Sequence, residues 1–245
     1  MLAIVGGTGM TEMPGLEVVK NFASETPLGA ASAGVVQGRI NEQDVLFIAR
    51  HGHPHKVPPH KINYRANLWA LKQAGATRVV GVNAVGGIDP ALAPGDLVLP
   101  DQLIDYTHGR EGTFFDGRFK PLKHIDFSWP YNGALRAALS QAGRHCGQVL
   151  VEEGVYGVTQ GPRLEAAAEI ARMASDGCTL VGMTGMPEAA LARELELPYA
   201  SLSLVVNPAA GVCEDEITME EIAEALEGGM ERARRLLETL ISTRC

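Results

Sequence analysis

Apolar residues fall along this chain in two rhythms. Short apolar runs, each closed by glycine, proline or a polar cluster, read as buried strands over residues 2–5, 45–49, 78–83 and 200–206. Weaker runs place further strands over 33–37, 96–100, 149–159 and 179–182. Between them the apolar spacing becomes helical. A helix is expected over 64–74, with Tyr64, Leu68 and Leu71 on one face and Gly75 as its stop. Others are expected over 132–142 and 164–173, and from Pro187, at a first turn, to just before Pro198. The last helix opens on a capping box, Thr218 with Glu221, and carries the stripe Ile222, Leu226, Ala233, Leu237 and Leu240. Gly228 and Gly229 should weaken its middle. Prolines 54, 58 and 59 keep one stretch irregular, and residues 106–127 read as a long loop of the kind that carries function. Strands alternating with helices predict an α/β fold: one domain over 1–245, with a mixed β-sheet surrounded by helices.

Composition narrows the class of partner. The chain has 245 residues, 46% of them hydrophobic and 20% charged, which suits a large packed core and argues against disorder. Its formal charge of −8 repels nucleic acid and anionic membranes, so neither is expected, and an anionic ligand needs a local basic site. There is no bilayer-length apolar run and no basic leader before the first apolar residues, so a cytoplasmic protein is expected. Cys146, Cys178, Cys213 and Cys245 lack paired spacing and read as free thiols.

The candidate chemistry sits at strand ends. Gly6-Gly7-Thr8-Gly9, Arg50-His51, Asn83-Ala84-Val85-Gly86 and Met183-Thr184 each follow an expected strand, and each reads as a loop. Ligands of open α/β sheets collect beyond the carboxyl ends of strands. Convergence of these four segments would supply backbone N–H groups, two hydroxyls and a guanidinium, an oxyanion site. Each piece alone has an ordinary explanation: a tight turn, a surface charge, a solvated hydroxyl. The crowded His51, His53, His55 and His60 allow a second reading, a metal-dependent purine deaminase using His51 and His53. Such a site needs further ligands, and His108, His124 and His145 lie in no comparable setting, so no metal is expected.

In order along nearly the whole chain, the segments 4–9, 49–52, 57–64, 83–86, 94–96, 161–163 and 183–184, with Pro187-Glu188, resemble the purine nucleoside phosphorylase family. They are most similar to its methylthioadenosine phosphorylase branch. The resemblance implies a phosphorylase-type sheet wrapped by helices, commonly a homotrimer, acting on a purine nucleoside with no cofactor and with inorganic phosphate as co-substrate. It assigns Thr8, Arg50, His51, Ala84 and Thr184 to phosphate, and Met183 to the ribose face. His55 falls near the sugar's 5′ end, and His124 in a neighbouring subunit's site. Phosphorolysis suits such a site: phosphate attacks C1′ of an oxocarbenium-like sugar while the purine leaves, so positioning and charge stabilisation suffice.

The purine pocket departs from the methylthioadenosine branch. That branch has aspartates where this chain has Asn207 and Ala209, and a serine after the residue matching Leu164 where this chain has Glu165. Asn207 with Glu165 resembles the pair of phosphorylases that take 6-oxopurines. An amide at Asn207 can donate to O6 and accept from protonated N7, the catalytic role, although a flip would serve adenine. An ionised Glu165 accepts from hypoxanthine N1–H, whereas adenine N1 is itself an acceptor. A competing reading makes Glu165 an exposed first-turn carboxylate of the 164–173 helix. At the 5′ end, Met219 and Ile222 stand where phosphorylases of ordinary nucleosides use a histidine. An apolar pair suits a methylthio group, and core packing is the alternative. The combined expectation is phosphorolysis of 5′-methylthioinosine to hypoxanthine and 5-methylthioribose 1-phosphate. The alternatives are a methylthioadenosine or broad 6-oxopurine phosphorylase, the metal-dependent deaminase, and a non-catalytic purine-binding protein.

Overall fold

A computed structural model describes residues 1–213 and 217–243. In chain order its strands are β1 (Leu2–Gly6), β2 (Glu17–Asn21), β3 (Glu25–Thr26), β4 (Gly29–Ala30), β5 (Val36–Ile40), β6 (Gln43–Ala49), β7 (Arg78–Gly87), β8 (Leu97–Val98), β9 (Gln102–Asp105), β10 (Leu150–Val151), β11 (Val155–Val158), β12 (Leu180–Gly182) and β13 (Tyr199–Pro208). The α-helices are α1 (Tyr64–Gln73), α2 (Gly133–His145), α3 (Ala167–Ser175), α4 (Glu188–Glu194) and α5 (Met219–Ser242).

Eleven strands form one mixed sheet along the path β10-β8-β13-β7-β1-β6-β5-β2, with β12, β11 and β9 branching from β7. The centre is parallel: β1 pairs with β6 and β7, and β7 with β13. The α/β mixed-sheet expectation is met.

Strand alternation divides the core. Ala3 and Val5 of β1 face one side with Leu68 and Leu71 of α1 and Leu191 of α4; Leu2 and Ile4 face the other with Leu139 of α2 and Leu237 and Leu240 of α5. A strand buried on both faces needs the continuous apolar runs seen in the sequence. Asn63 caps α1 by accepting from Ala66 N–H, and Asn132 caps α2 through Leu135 N–H.

Several expectations need correction. β7 does not break at Asn83 but runs to Gly87, because β13 pairs with it as far as Pro208 and β12 joins its far end in antiparallel sense. Asn83-Ala84-Val85-Gly86 is therefore strand, not loop. The expected 149–159 strand is two, β10 and β11, one beside β8 and the other beside β9 and β12. α3 begins at Ala167, so Glu165 precedes it and is no first-turn residue. α5 runs unbroken through Gly228 and Gly229. A Cβ at Gly229 would lie 2.4 Å from Leu204 Cδ1, so this glycine lets α5 approach β13. Strands β2 and β9 were absent from the hydrophobic pattern; β2 is exposed along its whole length. The loop reading of 106–127 stands. Cys146 and Cys178 are free thiols; Cys245 lies outside the described residues.

Candidate active site

The parallel strands β1, β6, β7 and β13 bring their carboxyl ends together in register: Gly6 is level with Ala49, Ser203 with Asn83, and Asn207 with Gly86. A cavity opens there. Its wall contains Thr8, Arg50, His51, Ala84, Leu164, Glu165, Met183, Thr184, Asn207, Ala209 and Ile222, so eleven of the residues singled out from sequence share one space.

Arg50 follows β6 and is fully buried. Its Nε donates to Glu188 Oε2 at 2.6 Å and its Nη2 to Glu188 Oε1 at 2.7 Å, while Nη1 donates to Val82 O at 2.8 Å. Tyr199 Oη donates to Glu188 Oε1 at 2.8 Å. Burial opposes the Arg50 charge, but the Glu188 carboxylate overcomes it and holds the guanidinium's pKa above its ordinary value. The fork needs room: a Cβ at Gly7 would lie 2.7 Å from Arg50 Nη1 and 2.5 Å from Val82 O. Gly7 is thus required by close approach, in the turn that presents Thr8.

His51 is 4% exposed, and its Nδ1 lies 2.8 Å from Val57 O. That carbonyl can only accept, so Nδ1 carries the proton and Nε2 of the neutral ring is an acceptor. Burial first, and then the adjacent Arg50 charge, hold its pKa down to about 4. His55 stacks on His51 with ring centroids 4.3 Å apart, but does not itself enter the cavity wall. Burial lowers the His55 pKa as well. His53 turns away, half exposed, with Nε2 3.4 Å from Glu12 Oε1. The imidazoles of His51 and His53 therefore have different surroundings. Among the described residues no group of three or more His, Cys, Asp or Glu is placed to hold a metal ion.

Beneath the floor a polar chain crosses the sheet. Thr184 Oγ1 donates to Asn83 Oδ1 at 2.7 Å, and Asn83 Nδ2 donates to Ser201 Oγ at 2.7 Å. The network fixes the Thr184 proton on Asn83, so toward the cavity the hydroxyl oxygen acts as an acceptor. On the opposite wall, β13 carries a bulge between Val205 and Asn207, and this irregularity turns Asn207 to the cavity. Asn207 Nδ2 donates to Pro208 O at 2.6 Å, leaving one amide N–H and Oδ1 for a ligand. Facing it, Thr159 Oγ1 donates to Glu165 Oε1 at 2.6 Å.

Besides His55, two expected residues stand outside the wall. Met219 is 68% exposed and outside the wall. Ile217, Ile222 and Leu226 supply apolar surface in the wall. His124 is exposed on the 106–127 loop and outside this chain's cavity. The sequence reading missed Val181, Val206, Ile217 and Leu226 as wall residues. The helical stripe of α5 had signalled Leu226, as core; the others carry no mark that separates them from core or turn residues.

Comparison with known proteins shows the family. The phosphorylase superfamily model matches residues 1–242. The chain belongs to the phosphorylase superfamily. It is 54% identical over 240 residues to a probable S-methyl-5′-thioinosine phosphorylase of Pseudomonas syringae pv. tomato, covering 98% of each chain. It is 42% identical over 241 residues to the 6-oxopurine nucleoside phosphorylase of Pyrococcus furiosus, covering 96% of this chain and 90% of that one. Among solved structures, methylthioadenosine phosphorylase from Schistosoma mansoni in complex with adenine superposes with a TM-score of 0.93 at 30% identity, over 98% of this superfamily member and 90% of that chain.

Proposed function

We propose that this phosphorylase converts 5′-methylthioinosine and phosphate to hypoxanthine and 5-methylthioribose 1-phosphate, as one domain over 1–245 and without a cofactor. The observation that carries the reading is the Glu165–Asn207 pair in the wall of the strand-end cavity, with an apolar end formed by Ile217, Ile222 and Leu226. The name of the Pseudomonas syringae relative supports the same substrate.

Phosphate is held by the Thr8 turn, the Ala84 backbone, Thr184 and Arg50. Two of the Arg50 N–H bonds remain beyond those given to Glu188 and Val82. Neutral His51 accepts at Nε2 from the P–OH of monohydrogen phosphate. Phosphate oxygen bonds to C1′ as the C1′–N9 bond breaks, and the bonding pair passes into the purine. Asn207 stabilises the charge that develops, donating from Nδ2 to O6 and, once N7 has taken a proton from solvent, accepting from N7–H at Oδ1, while Glu165 accepts from N1–H. Met183 covers the ribose. The apolar end receives the methylthio group, which gains by burial and needs no hydrogen bond.

The wider assembly belongs to the same proposal: a cytoplasmic homotrimer in which His124 reaches the next subunit's site. Leu122 and Trp129, exposed on the segment that carries His124, support docking there. Among the described residues no helix is long and apolar enough to cross a membrane. Exchanging the base pair of residues tests the pocket. Glu165→Ser with Asn207→Asp should move the kcat/KM ratio toward methylthioadenosine; an unchanged ratio refutes the base assignment.

A further inference from the structure

Glu165 lies in irregular chain between β11 and α3, where no ladder fixes it. Its carboxylate is nonetheless held, by a single short bond from Thr159 Oγ1 at 2.6 Å. Thr159 is 8% exposed, directly after β11. Its own backbone is pinned on both sides. Its N–H donates to Gly182 O of β12 at 2.8 Å, and its carbonyl accepts from Arg110 Nη2 at 3.1 Å.

Arg110 holds the neighbourhood rigid. Its Nη2 also donates to Gln160 O at 3.0 Å, its Nε to Gln160 Oε1 at 3.2 Å, and its Nη1 to Met183 O at 2.9 Å. The guanidinium therefore joins the turn bearing Thr159 to the turn bearing Met183 and Thr184. A threonine hydroxyl has one proton. Its other acceptor, Gly182 O, is 3.4 Å away, so the proton belongs to Glu165.

We propose that Thr159 is a positioning residue for base selection: its hydroxyl occupies Glu165 Oε1 and leaves Oε2 to accept N1–H of a 6-oxopurine. The inference rests on the Glu165 reading above. A hydroxyl donates more strongly to a carboxylate than to a neutral carboxyl. The bond therefore occupies one carboxylate oxygen and orients the other toward the base edge. Glu165 lines this cavity and also the neighbouring one shared by Thr159, Gln160 and Arg163. Without the Thr159 bond its carboxylate is free to swing between them.

The test measures kcat/KM for methylthioinosine and methylthioadenosine at saturating phosphate. Thr159→Val and Thr159→Ser are compared, each alone and in a Glu165→Ala background. Thr159→Val should lower the methylthioinosine-to-methylthioadenosine ratio about tenfold, the loss of roughly one buried hydrogen bond, through nucleoside KM with phosphate KM unchanged. Thr159→Ser keeps the donor and should retain the preference. In the Glu165→Ala background Thr159→Val should add nothing, because the effect passes through the carboxylate. Should valine disturb folding at β11, Thr159→Ala removes the same donor. The inference is overturned if the ratio survives loss of the hydroxyl, or if it falls equally without Glu165. If Glu165→Ala shifts the ratio and Thr159→Val does not, this inference alone fails. If Glu165→Ala leaves the ratio unchanged, the base-pocket reading fails with it.

Discussion

The Arg50 guanidinium and the Glu188 carboxylate meet as a fork, 2.6 Å and 2.7 Å across its two bonds, with both side chains fully buried. The pair ties the end of β6 to the first turn of α4, elements far apart in sequence. It also cancels the Arg50 charge before any ligand arrives. In the proposed site, phosphate is therefore met by directed N–H and hydroxyl groups more than by a free cation.

Removing one half of such a pair leaves a buried charge alone. Glu188→Ala should cost about 3–5 kcal/mol of stability, measured by urea unfolding, and should raise phosphate KM as Arg50 loses its orientation. Tyr199→Phe removes only one donor to that carboxylate and should cost on the order of 1 kcal/mol. Equal stability of Glu188→Ala and the parent would contradict the role given to the pair.

His51 gives the fold an acid limit. Its pKa is held down to about 4 from an ordinary 6.5. Between those values the unfolded chain binds more protons than the folded one. The stability linked to this histidine is thus full above about pH 6.5 and is lost as pH falls toward 4. Thermal unfolding of the parent and His51→Asn, followed from pH 7 to pH 4, should show a shallower acid decline in the variant. Parallel declines would contradict the assignment.

The paired glycines of α5 should behave in opposite ways. A Cβ at Gly228 meets open space, so Gly228→Ala should stabilise by about 0.5–1 kcal/mol through helix propensity. At Gly229 the added methyl meets Leu204, and overpacking should cost about 1–3 kcal/mol. Chemical denaturation of the two variants separates the effects.

The apolar end of the cavity should set the sugar preference. Ile222→His places a hydrogen-bonding group in the wall and should improve the use of inosine relative to methylthioinosine. Met219→His, at the exposed start of α5, should change that ratio less. Competition kinetics with both nucleosides measures the difference.

Much of this was legible in the sequence because strands buried on two faces leave unbroken apolar runs, as in β1, β6 and β13. Strand ends also leave their own signature, and Thr8, Arg50 and Thr184 were found that way. β2 escaped notice because an exposed edge strand carries no hydrophobic pattern. The extent of β7 escaped because pairing with β12 and β13, a tertiary effect, carries the strand past Asn83 to Gly87. Met219 was assigned from its place at the start of the final helix, and a place in the sequence does not say whether the side chain turns to the cavity or to solvent. Glu188 stands out in the sequence only as part of the Pro187-Glu188 match. Nothing local marks a carboxylate as the partner of an arginine so distant in sequence.

The most direct test is phosphate-dependent release of free base from methylthioinosine, methylthioadenosine and inosine, assayed side by side. The account predicts highest kcat/KM for methylthioinosine, with no release when phosphate is omitted. Preference for methylthioadenosine would contradict the Glu165–Asn207 reading, preference for inosine the apolar sugar end, and turnover of none of them the assignment as a whole.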